Sequence, residues 1–98
     1  MDYIFKVIDK TKRNIRLTKK QWKHITVKHP DLAKKEEEIK QTLEKPDLIT
    51  SHKFDENMGN YYKYNKNERA YLIVAVKYLN GEGYVVTSFY TQQLKKNG

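Results

Sequence analysis

Ala70-Tyr71-Leu72-Ile73-Val74-Ala75-Val76-Lys77-Tyr78-Leu79-Asn80-Gly81-Glu82-Gly83-Tyr84-Val85-Val86-Thr87-Ser88-Phe89-Tyr90-Thr91 contains two apolar runs separated by one turn. Ala70 to Val76 is almost continuously apolar, the pattern of a central strand covered on at least part of both faces. Tyr84 to Thr91 mixes β-branched and aromatic residues, which favour extended backbone. Asn80-Gly81-Glu82-Gly83 supplies turn chemistry, so the two runs should lie antiparallel, with strands over Ala70–Leu79 and Tyr84–Thr91. Lys77 interrupts the apolar run; it either snorkels to the sheet margin or projects into a site. The turn decides its neighbours. A two-residue loop at Gly81-Glu82 pairs Lys77 with Val86, on a face with Ser88 and Tyr90. A three-residue loop ending at Gly83 pairs it with Thr87 and brings in Phe89 and Thr91.

Two further period-two runs precede this pair, Leu48–Phe54 and Tyr61–Tyr64, bounded by turns at Glu56–Asn60 and Asn65–Glu68. Before them the period is helical. Thr18 is an N-cap candidate, with Gln21 three residues on completing a capping-box pattern ahead of Trp22 and Ile25, so a helix should span Lys19–Lys28. Pro30 disfavours helical geometry at His29. A second helix is expected over Asp31–Glu44, with Leu32, Ile39 and Leu43 as its apolar stripe and Glu36, Glu37 and Glu38 solvated at its start. Tyr3–Ile8 and Asn14–Leu17, flanking Asp9-Lys10-Thr11-Lys12, read as a β-hairpin. The order is α+β: an N-terminal β-hairpin, two helices, then a four-stranded antiparallel sheet. One domain over residues 1–94, with a frayed tail at 95–98, accounts for the chain.

The 98 residues contain no cysteine, which removes disulfides, thiolate catalysis and cysteine zinc sites. No apolar stretch approaches the roughly 20 residues needed to cross a bilayer, and no signal-peptide layout opens the chain, so a cytoplasmic protein without a membrane partner is expected. The net charge of +8 is uneven. Met1–Pro30 carries nine basic and two acidic residues, whereas the remainder carries eleven and ten. Such a field favours a polyanion, and RNA is the partner expected.

Trp22-Lys23-His24-Ile25-Thr26-Val27-Lys28-His29-Pro30 holds two of the three histidines. At about 100° per residue, Trp22 and Ile25 define one face with His29 close to it, while His24 lies nearly opposite Trp22, beside Lys20 and Lys28. The five-residue spacing sets the imidazoles roughly 140° apart on a continuous helix, unlike the four-residue spacing of a zinc pair, so no metal site and no cofactor are expected. His29 either closes the helix end as a half-buried structural residue or acts in a site. His24 places a group that titrates near neutrality in a phosphate-attracting patch. His52 has no comparable setting. Tyr61-Tyr62-Lys63-Tyr64 should send Tyr62 and Tyr64 to one face, where rings can stack on bases. Arg69 is a candidate phosphate clamp.

Leu17-Thr18 through Trp22, His24-Ile25 and His29-Pro30, the acidic second helix, Tyr71–Lys77 and Val86–Thr91 together resemble the phage-associated nucleases of the barnase, EndoU, colicin E5/D and RelE-like (BECR) superfamily. The resemblance spans Arg16–Lys96. It implies a helix-then-sheet ribonuclease fold and metal-independent RNA cleavage of toxin or phage-effector type, with an acidic antitoxin or immunity protein as a second class of partner. Carried onto this chain, it points to His24, His29, Lys77, Thr87 and Thr91 as catalytic. One histidine would activate the ribose 2′-hydroxyl, Lys77 would offset developing charge, and the threonines would bind phosphate oxygens, leaving a 2′,3′-cyclic phosphate. Arg16, Lys20, Lys23, Lys28, Tyr62, Tyr64, Arg69 and Ser88 form the expected substrate-binding set. The alternative is a non-catalytic module that binds RNA or an acidic protein through the same basic patch.

Overall fold

The computed structural model describes residues 2–92; the tail expected at 95–98 lies outside them. Thr18 caps the first helix as expected, its hydroxyl accepting from Gln21 N at 3.1 Å, and α1 spans Lys19–Lys28. The Gln21 side chain does not close a capping box. It donates instead to the Val86 carbonyl, 65 residues away. The second helix is shorter than its periodicity predicts. Pro30 opens a 3-10 turn over Pro30–Leu32, and α2 begins only at Glu36 and ends at Glu44. The apolar stripe survives the interruption, because Leu32, Ile39 and Leu43 are all fully buried.

Six strands form one sheet: β1 (Tyr3–Ile8), β2 (Asn14–Thr18), β3 (Leu48–His52), β4 (Asp55–Asn65), β5 (Ala70–Tyr78) and β6 (Glu82–Thr91), in the order β1-β2-β6-β5-β4-β3. The expected four-stranded antiparallel sheet is thus corrected to a six-stranded mixed one. β3 to β6 run antiparallel, but β2 adds in parallel to β6 over Asn14–Arg16 and Glu82–Tyr84. Such a pairing between distant segments leaves no trace in local periodicity. Glu56–Asn60, expected as a turn, belongs to β4. The reversal lies instead at Lys53-Phe54, and Asp55 Oδ1 accepts from Asn57 N at 2.9 Å beside it.

One face of the sheet carries the core. Val7, Ile15, Leu17, Tyr61, Leu72, Val74, Val76 and Val85 pack with Ile25, Leu32, Ile39 and Leu43 from the helical segments. The hairpin is fastened to this core by a buried acid. Asp9, only 3% exposed, accepts from Thr11 N and Arg13 N at 3.1 and 2.8 Å, and the Tyr61 hydroxyl donates to its other oxygen. Tyr61 and Tyr78 share a hydroxyl contact of 2.8 Å, and Arg13 lies 4.2 Å from the Tyr78 ring centroid. Gly59 is required beside them, since an added Cβ would stand 2.3 Å from the Tyr78 hydroxyl. None of the helices among the described residues is long and apolar enough to cross a membrane.

Candidate functional site

β5 alternates without interruption, sending Leu72, Val74 and Val76 into the core and Ile73, Ala75 and Lys77 to the opposite face. β6 does not. Gly83 pairs with Tyr78 and Tyr84 with Lys77, and the register then shifts so that Val85 faces Val76 while Thr87 faces Ala75. Val86 is the extra residue of a β-bulge, a device that re-aims side chains beside functional sites. Both pairings expected for Lys77 are therefore overturned. Leu79 N donates to Glu82 O at 2.7 Å, so the loop is Asn80-Gly81, with Gly81 at φ +76°, and Lys77 pairs with Tyr84 rather than Val86 or Thr87.

The bulge sets Thr87, Phe89 and Thr91 on the face away from the core, across from Ala75, Ile73 and Tyr71. β4 adds Asn60, Tyr62 and Tyr64 to the same face. The β2 pairing with β6 ends at Tyr84, and α1 lies alongside the continuation of β6, tied there by Gln21. A cavity of about 570 Å³ opens between them, lined by Gln21, His24, Ile25, Lys28, His29, Val86, Thr87 and Phe89. A second cavity, about 390 Å³, lies across the sheet face, with Tyr62, Ile73 and Ala75 buried in its wall and His52, Asn60 and Thr91 around it. Val86, Thr87 and Phe89 line both. Each volume falls in the range of small-ligand sites, roughly 300–1,000 Å³.

Both histidines line the first cavity, His24 from the body of α1 and His29 from its C-terminal cap. His29 is the C-cap residue, at φ −131° and ψ 75°, its backbone N–H donating to Ile25 O at 2.7 Å. Its ring leaves the helical path and stacks on Phe89, centroids 5.6 Å apart and planes 27° from parallel. His24 stays on the helix, exposed, one turn from both Lys20 and Lys28.

The remaining expected residues divide. Lys28, Tyr62, Thr87 and Thr91 line one or both cavities. Lys20 and Lys23 are exposed on α1 next to His24. Tyr64 packs edge-on against Tyr71 at 5.2 Å, one row beyond the Tyr62–Ile73–Phe89 row. Arg69 sits in the β4–β5 turn at φ 52°, away from both cavities. Arg16 is committed to Glu82 at 2.5 Å and lies over the Tyr84 ring. Ser88 leaves the binding set. It faces the core, is fully buried, and donates to Ile73 O at 2.7 Å.

Lys77 is also reassigned. Its Nζ contacts Asp55 at 2.6 Å, and it lines neither cavity. This lysine, helped by Asn57 N–H, holds the Asp55 carboxyl below its ordinary 3.8. Sequence reasoning missed Gln21, His52, Asn60 and Phe89 as cavity residues. For His52 a signal existed, since Leu48, Thr50 and His52 alternate along one strand. The chain matches no protein-family model, no curated protein and no solved structure.

Proposed function

We propose that the chain is a metal-independent endoribonuclease, and the observation that carries this is the meeting of His24, His29 and Thr87 in one cavity on the charged α1 side of the sheet. Cleavage of RNA without a metal needs a base for the 2′-hydroxyl, an acid for the leaving 5′-oxygen and donors for the phosphate. His29, its ring fixed against Phe89, takes the 2′-hydroxyl proton. The O2′–P bond forms and the P–O5′ bond breaks. His24, in the same cavity, gives its proton to the departing 5′-oxygen, and Thr87 donates to a phosphate oxygen. The products are a 2′,3′-cyclic phosphate and a free 5′-hydroxyl.

Lys20, Lys23 and Lys28 supply the field that draws the phosphate backbone to this edge. The element order, with a hairpin, two helical segments and an antiparallel run of strands, supports a relation to the BECR nucleases, in which toxins and phage effectors with acidic partners occur. Purified protein should cut single-stranded RNA in EDTA, and His24→Ala or His29→Ala should each slow it about a hundredfold or more, the usual weight of general acid–base catalysis. Unchanged rates in both folded variants would leave RNA binding without cleavage as the function.

A further inference from the structure

His52 has no part in the chemistry above, yet it lines the second cavity with Asn60, Thr87 and Thr91. We infer that His52 binds the nucleotide lying across Thr87 from His29 by donating its Nε2–H. This inference rests on the ribonuclease reading for its substrate, and it makes that substrate a single strand. Thr87 lines both cavities, so a phosphate held there leaves one neighbouring nucleoside beside His24 and His29 and the other beside His52. At about 390 Å³, the second cavity has the size of a small-ligand site. A paired strand would keep its bases from entering either side.

The donor nitrogen follows from a backbone contact. Phe54 N–H donates to His52 Nδ1 at 3.3 Å, so Nδ1 is the acceptor and the ring proton sits on Nε2. Asp55 pairs with His52 across the turn, but its carboxylate is already met by Lys77 Nζ at 2.6 Å and Asn57 N at 2.9 Å. His52 is therefore a substrate-binding donor and not a third proton-transfer group.

Full-length protein labelled with nitrogen-15 in histidine, titrated with an all-deoxy thymidine tetranucleotide, tests this without cleavage. The His52 ring signals should shift on binding and keep the Nε2–H pattern. His52→Ala should raise KM for RNA about fivefold or more, the effect of one hydrogen bond, with kcat and the pH–rate profile unmoved, and His52→Gln should restore most of the loss. A silent His52, a wild-type KM in His52→Ala, or loss of one limb of the pH profile would overturn the inference. The two levels separate cleanly. A protein that binds the tetranucleotide through His52 but cuts no RNA keeps this site and loses the nuclease, whereas cleavage with a silent His52 does the reverse.

Discussion

Phe89 lies against the imidazole of His29, 60 residues apart in the chain, with ring centroids 5.6 Å apart. The contact gives a ring that has just left its helix a fixed orientation, and it does so only because the bulge at Val86 turns Phe89 to the cavity side. Positioning of this kind is worth large factors in rate, since small misplacements of a base cost about a hundredfold. Phe89→Ala should lower kcat on RNA by about tenfold or more while the protein stays folded, and Phe89→Tyr should keep most of the activity. Steady-state kinetics with circular dichroism of each variant checks it.

Lys77 provides the opposite case. Its partner is Asp55, and it lies outside both cavities. Lys77→Met should leave kcat/KM within about threefold of the parent, since loss of a substrate contact would cost more. The Asp55 carboxyl, held low by Lys77, should return toward 3.8 in this variant. Because its folded value is depressed, the pair's contribution is present above the unfolded value and is lost as pH falls through the folded one. Acid unfolding of the parent should therefore be steeper than that of Lys77→Met, as denaturant titrations below about pH 4 would show.

Tyr61 should matter to stability and not to chemistry. Its phenol is pushed far above the ordinary 10.0, first by burial and then by its hydrogen bonds to Asp9 and Tyr78, and burial also raises Tyr78. Tyr61→Phe leaves a buried carboxylate short of one donor, a change that costs about 1–3 kcal/mol. A chain of this size should then melt several degrees lower, at about 4–8 °C per kcal/mol. With folded values raised, the stabilisation is full below pH about 10 and declines as pH rises beyond it. Tyr61→Phe should show a shallower alkaline decline than the parent.

Local signals were legible wherever one short segment decided the outcome. Thr18 and Pro30 bracket α1 at Lys19 and Lys28, and alternation sends Leu72, Val74 and Val76 to the core. What stayed hidden depends on distant partners or on polar strands. Glu56–Asn60 reads as a turn because it lacks apolar alternation, yet Met58–Asn60 is held extended by β5. Parallel addition of β2 to β6 and the bulge at Val86 are set by tertiary packing. The candidate site inherits both effects. His24 and His29 were visible as a pair, but the bulge that sets Thr87 and Phe89 beside them was not, and His52 enters only because β3 presents it to a cavity walled by β4, β5 and β6.

A chimeric oligonucleotide, deoxy throughout except for one ribonucleotide, tests the central claim most directly when incubated with the protein in EDTA. A 2′-hydroxyl mechanism predicts a single cut, 3′ to the ribonucleotide, with a 2′,3′-cyclic phosphate on one product and a 5′-hydroxyl on the other, visible by mass spectrometry and absent with His29→Ala. Cleavage at deoxy positions, or a 5′-phosphate on the product, would contradict it.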